Sequence, residues 1–230
     1  MSYFTPLPLI IREDETFRCK GIRHICEKCP SFSYERNLPP WQLNKKALSA
    51  LEKTKSTKFM VCPSCDLYGS DVPKELREEA LAPLYEKGRN HFFYILTRNP
   101  LPMLEERLPD PAILWGYSAA TQPELNFYDT VTQSHGGEDH QEFLFLSPLI
   151  EDITLPEGIK SRVREIFIQG AKSPDPDTTP EFPLERVEAI ADQVKGTDIK
   201  LRLLDSGDKP TYKGKSAKRL PKQIKALLSL

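Results

Sequence analysis

The chain has 230 residues, 39% of them hydrophobic and 28% charged, with a formal net charge of −1. That balance is ordinary for a globular protein and excludes a molecule whose whole surface binds nucleic acid electrostatically. No stretch approaches the roughly 18 apolar residues of a membrane-spanning helix, and the opening, broken by Pro6 and Pro8, lacks the basic start and cleavage site of a secretory signal.

Residues 1–57 form an N-terminal segment that holds three of the five cysteines, and 43–53 within it reads as a helix. From residue 58 the pattern becomes regular. "KFMVCPS" (58–64) has strand character, and 73–88 is a helix with Leu76, Ala80, Leu81 and Leu84 on one face, opened by Pro73 and stopped at Gly88. "HFFYILT" (91–97) is a buried strand, 99–109 a short helix, and "AILWGYSA" (112–119) the next strand. Residues 123–134 are helical, 142–149 a strand, 151–158 a loop and 164–171 a strand. A helix within 178–196 places Val187, Ile190, Ala191 and Val194 on one face, and 198–207 is the last strand.

About six strands, apolar on both faces and joined by helical crossovers, imply a parallel sheet. They are too few for a closed eight-stranded barrel. An open partial barrel or a doubly wound sheet fits, and in both the C-terminal strand ends carry the site. The expected division is therefore 1–57, a core at 58–207, and a basic C-terminal tail and helix at 208–230.

Cys19, Cys26 and Cys29 are spaced C-x6-C-x2-C, and Cys62 and Cys65 follow in "CPSC". So local a spacing argues against a disulfide framework and for a reducing cytoplasm. Three thiolates suit a [4Fe–4S] cluster with one iron left open. Alternatively Cys26, Cys29, Cys62 and Cys65 form two CxxC knuckles for a structural zinc, which leaves Cys19 unused. "CPSC" also reads as a redox pair or as packing at a strand end. Its following helix begins only at Pro73, late for a thioredoxin-like motif. Spacing alone leaves iron and zinc open.

The order of strand-end motifs adds a resemblance. Cys19, Cys26 and Cys29 are followed by Ser64, Asp66, Leu67, Tyr68, Asp71, Val72 and Pro73. Leu96, Thr97 and Pro100 come next, then Gly116, Ser118 and Gln122, then Pro148 and Leu149. This series resembles a phage and bacterial family of uncharacterised radical-SAM-like proteins. The resemblance implies an α/β fold, a partial (β/α) barrel of about six parallel strands. It also implies a [4Fe–4S] cluster on Cys19, Cys26 and Cys29 that binds S-adenosylmethionine (SAM). Reduction by a donor such as flavodoxin or ferredoxin would then yield a 5′-deoxyadenosyl radical that acts on an unknown substrate.

On that resemblance, strand-end position assigns Ser64 and Asp66 to the methionine amine and Arg98 to its carboxylate. It assigns Ser118, Thr121 and Gln122 to ribose or adenine. The chain departs from the family pattern at Pro30, where Tyr is usual, at Arg98-Asn99, where Lys-Arg is usual, and at Ser147, where Glu is usual. The competing reading is a non-enzymatic zinc-stapled interaction module.

The remaining features read more plainly. The lysines of 208–230 offer a nucleic-acid backbone a contact, or form a solvated tail whose Ile224, Leu227 and Leu228 dock on the core. "HGGEDH" (135–140) reads as a turn, His91 as solvated or capping, Trp41 and Trp115 as packing, and "REDE" (12–15) as a solvated face.

Overall fold

The computed structural model describes residues 3–18, 37–55, 57–87, 90–135, 141–172, 179–217 and 219–228. Short strands β1 (Thr5–Leu7), β2 (Ile10–Arg12) and β3 (Trp41–Leu43) precede α1 (Lys45–Lys53). Then strand and helix alternate: β4 (Lys58–Val61), α2 (Lys74–Lys87), β5 (Phe92–Thr97), α3 (Pro100–Glu106), β6 (Ile113–Ala119) and α4 (Gln122–Ser134). The alternation continues through β7 (Gln141–Leu146), α5 (Glu157–Arg162) and β8 (Val163–Gln169). It ends with β9 (Phe182–Pro183), α6 (Glu185–Gln193), β10 (Lys200–Asp205), β11 (Pro210–Tyr212), β12 (Lys215–Ser216) and α7 (Lys222–Leu227).

Seven strands form one sheet in the order β1-β4-β5-β6-β7-β8-β10. The β1–β4, β4–β5, β5–β6, β7–β8 and β8–β10 pairs are parallel. The protein is thus an α/β chain of the partial (β/α) barrel class. All six predicted strands are present as β4, β5, β6, β7, β8 and β10. The seventh, β1, went unpredicted: it is an edge strand three residues long that contains Pro6, and a proline without an N–H is tolerated at such an edge. All seven residues of β6 are buried, as a parallel strand covered on both faces requires.

Backbone contacts divide the chain into two compact units, one up to Tyr117 and one from Ser118 onward. This division does not coincide with the boundaries expected at 57/58 and 207/208. In the first unit Phe59 and Phe93 stack at 5.8 Å, and His91 meets Phe59 edge-on at 5.2 Å. His91 is buried, so its predicted solvated role is corrected: it is part of an aromatic core. Helix α2 buries Ala80, Leu81 and Leu84 as its spacing predicts. Arg77 reaches from it to Glu106 of α3 with two bonds of 2.9 and 2.5 Å.

In the second unit Phe143 and Phe167 meet edge-to-face at 5.8 Å. Residues 208–230 are not a plain tail. Strand β11 pairs with β9 and β12, and α7 seats a fully buried Ile224. Docking through Ile224 agrees with the amphipathic reading. Lys213, Lys215, Lys222 and Lys225 are exposed, since strand pairing and Ile224 make the attachment.

Glycine matters most where β8 and β10 end. A Cβ on Gly170 would lie 2.6 Å from the Ser206 carbonyl oxygen, and Gly207 has a φ of +71°. The two backbones pass too close for a side chain. Gly170→Ala is expected to lower stability by about 1–3 kcal/mol through overpacking, measured by chemical denaturation. Among the described residues no helix is long and apolar enough to cross a membrane.

Candidate functional site

The predicted ligands Cys19, Cys26 and Cys29, together with His24 and Pro30, lie outside the described residues, as do 136–140 of the predicted turn and Lys218 of the basic run. The two flanks of the cysteine segment are described, and one side chain holds both. Arg12 is 3% exposed. Its Nε donates to the carbonyl oxygen of Arg18 at 2.7 Å, one residue before Cys19. A terminal nitrogen donates to the carbonyl of Pro39, and the other pairs with the Asp71 carboxylate. The Trp41 ring lies 4.1 Å from the guanidinium carbon, and its Nε1 donates to the same carboxylate at 3.3 Å. A guanidinium carries five N–H donors in a fixed fork, and here it gathers the start of the segment, its end, and the β4–α2 loop. The expectation that "REDE" is a solvated face is corrected at Arg12.

Asp71 lies beyond the C-terminal end of β4, so Arg12 ties both described flanks, at Arg18 and Pro39, to that end of the sheet. The same loop carries Ser64 and Asp66. Ser64 is exposed and Asp66 half-buried. The Asp66 carboxylate accepts the N–H of Tyr68 at 3.0 Å and the N–H of Arg98 at 2.9 Å. Burial pushes its carboxyl above the usual range, opposed by these bonds, by the Thr97 hydroxyl and by the Arg98 charge. Asn99 donates to the Tyr68 carbonyl at 2.9 Å. The ends of β4 and β5 are therefore laced together, and Ser64, Asp66 and Arg98 share one edge.

Cys62 and Cys65 stand on this edge as thiols that are not joined in a disulfide. Cys62 is buried and Cys65 half-exposed. The Cys62 thiol is held below its ordinary value, first by a hydrogen bond with Cys65 and then by backbone N–H groups of Ile10 and Leu9, against the effect of burial.

The second unit holds the other predicted residues. Ser118 is buried near the end of β6. Thr121 stands at the N-cap of α4 without a side-chain cap bond. Gln122 has its side chain engaged. Its Nε2 donates to Thr154 O at 2.9 Å and to Asn126 Oδ1 at 2.8 Å, and its Oε1 accepts the Thr154 N–H at 2.7 Å. That carboxamide holds the loop after β7. Nearby, the N–H of Ser147 donates to the Ala119 carbonyl at 3.0 Å and its hydroxyl donates to Gln169 at 3.3 Å.

Arg12 is the residue that sequence reasoning missed. It lies in a mixed-charge run, and its ion-pair partner is 59 residues away, so no local signal marks it. Among the described residues no three His, Cys, Asp or Glu side chains converge to hold a metal ion. Comparisons with protein-family models, with curated proteins and with solved structures found no match.

Proposed function

We propose that the chain is a radical-SAM-like protein that binds a [4Fe–4S] cluster through Cys19, Cys26 and Cys29 and SAM beside it, and acts on a substrate not identified by its residues. The observation that carries this reading is Arg12. It fastens both flanks of the three-cysteine segment to the loop after β4, where Asp66 sits and accepts the N–H of Arg98 from the end of β5. In parallel α/β folds that edge is where cofactors bind.

The groups on that edge fit the expected ligand. A carboxylate has about four lone-pair sites, and Asp66 uses three for Tyr68, Arg98 and Thr97. One site remains for an ammonium. A cation there relieves the unfavourable burial of the charge. The Arg98 side chain suits a carboxylate. Taken alone, the second unit offers a nucleoside the hydroxyls of Ser118 and Thr121, with Gln122 steadying the adjoining loop. When bound, the cluster and SAM supply reductive cleavage of a sulfonium, with the electron drawn from a flavodoxin- or ferredoxin-type donor.

The test is anaerobic reconstitution of the full chain. A brown protein with a shoulder near ~400 nm that dithionite bleaches is expected for thiolate-bound iron. Cys19→Ala should bring bound iron close to zero, and SAM under reduction should release 5′-deoxyadenosine. A colourless protein with one zinc per chain, retained in Cys19→Ala, would overturn the reading in favour of a four-cysteine zinc module.

A further inference from the structure

"CPSC" begins where β4 ends. Cys62 takes a left-handed backbone conformation, with φ of +49°, and the chain reverses so that the Cys65 N–H donates to the Cys62 carbonyl at 3.2 Å. A turn closed in this way keeps its first and fourth Cα atoms within about 7 Å, the outer span a disulfide bridges. The two thiols already share a hydrogen bond. In CxxC sites of the thioredoxin kind, a helix N-terminus at the motif stabilises the thiolate. Here α2 begins only at Lys74. The lowering influence comes instead from hydrogen bonding by Cys65 and by the Ile10 and Leu9 backbone, which holds the Cys62 thiol below its ordinary value.

We infer that Cys62 and Cys65 form a redox-active dithiol, a second chemical site on this edge, which closes to a disulfide by exchange with small-molecule disulfides of the glutathione class. The two sulfurs divide the work by exposure. Cys62 is 3% exposed and Cys65 is half-exposed, so an incoming disulfide meets Cys65. The Cys65 thiolate attacks one sulfur of the disulfide, the sulfur–sulfur bond breaks, and one thiolate leaves and takes a proton from water. The Cys62 thiolate then attacks the Cys65 sulfur and expels the second thiolate. Two electrons pass from the protein dithiol to the small disulfide, which departs as two thiols. Packing as a small hydrophobe accounts for the burial of Cys62. It does not account for the left-handed turn that brings the two cysteines together at the strand end, or for a half-exposed Cys65 beside the buried one. The inference does not rest on the cluster reading.

Trypsin gives this site its own reporter. Cleavage after Lys58 and Lys74 releases residues 59–74, which carry Cys62 and Cys65 and no other cysteine. The folded full chain is equilibrated in glutathione buffers of increasing oxidised fraction, alkylated and digested. Both alkyl groups should disappear from this peptide together, with a loss of two hydrogens. In Cys62→Ser, Cys65 should accumulate a glutathione adduct. In Cys65→Ser, modification of Cys62 should be at least tenfold slower than that. A peptide that stays doubly alkylated across all buffers overturns the inference. So does one whose oxidation links it to a peptide from residues 19–29, or one protected by stoichiometric zinc.

Discussion

An Arg162→Met variant is expected to lose about 3 kcal/mol of unfolding free energy, the lower end of the range for breaking a buried ion pair from one side. Glu142 lies on β7 with 1% of its side chain exposed. Its Oε2 accepts the Tyr128 hydroxyl at 3.0 Å and faces the Arg162 Nε at 3.5 Å. The same guanidinium pairs with Asp129 at 3.2 Å and donates to the Thr132 hydroxyl. One cation therefore answers two carboxylates at the join of α4, β7 and α5. Gly158 leaves the room for it, since a Cβ there would overlap Asp129.

Removing the cation takes from buried Glu142 its Arg162 partner, and the loss comes from the weaker compensation of that buried charge more than from the missing contact itself. Urea denaturation of four proteins, the wild type, Arg162→Met, Glu142→Leu and the double variant, checks this. Arg162→Met should be the weakest. The Arg162→Met/Glu142→Leu double variant should recover most of the loss, because a buried apolar pair is about as good as a buried ion pair. If the double variant is weaker by the sum of both single losses, the charges are not coupled and the account is wrong.

Both arginine clusters show where the sequence is legible and where it is not. The strands of the core declare themselves because burial on both faces demands uninterrupted apolar runs such as "FFYIL" and "AILW". Three-residue β1 cannot do so, since its pairing with β4 lies in the backbone, and only Leu7 of its three side chains is buried. The lysine-rich C-terminus misleads for a related reason. Strands β11 and β12 pair through main chain while their side chains remain half-buried or exposed. Charge is the least legible property of all. Arg12 stands in a stretch that reads as surface and Glu142 opens an apolar strand, and in both cases the charge is answered by an arginine–carboxylate pair that folding supplies from elsewhere in the chain.

The candidate site divides the same way. Asp66 and Arg98 stand at strand ends, where their place in the sequence puts them, and they share a hydrogen bond. Gln122, at the same kind of position, turns out to be bound to the backbone of Thr154, 32 residues on. "CPSC" is not followed directly by a helix, since α2 begins only at Lys74, and nothing local in the motif announces the backbone turn that closes it.

The largest functional effect is expected at Arg12. Arg12→Met should cost about 3–5 kcal/mol, because it leaves the Asp71 carboxylate, 11% exposed, without its cation. It should also release both flanks of the cysteine segment at once. Tryptic cleavage at Lys20, Arg23, Lys28 and Arg36 should then rise under conditions where the rest of the chain stays folded.

Stability and positioning are separated by Arg12→Lys. An ammonium still answers Asp71, yet as a point charge on a single stem it cannot span that carboxylate and the carbonyls of Arg18 and Pro39 together. This variant should keep most of the lost stability while bound iron after reconstitution falls severalfold and cleavage of the segment increases. The wild type, Arg12→Lys and Arg12→Met then form a series in which iron content follows the hold on the segment rather than the free energy of unfolding. Should iron content instead track unfolding free energy across the three, Arg12 is a fold residue alone. The placement of the three cysteines over the β4 edge would then lose its main support.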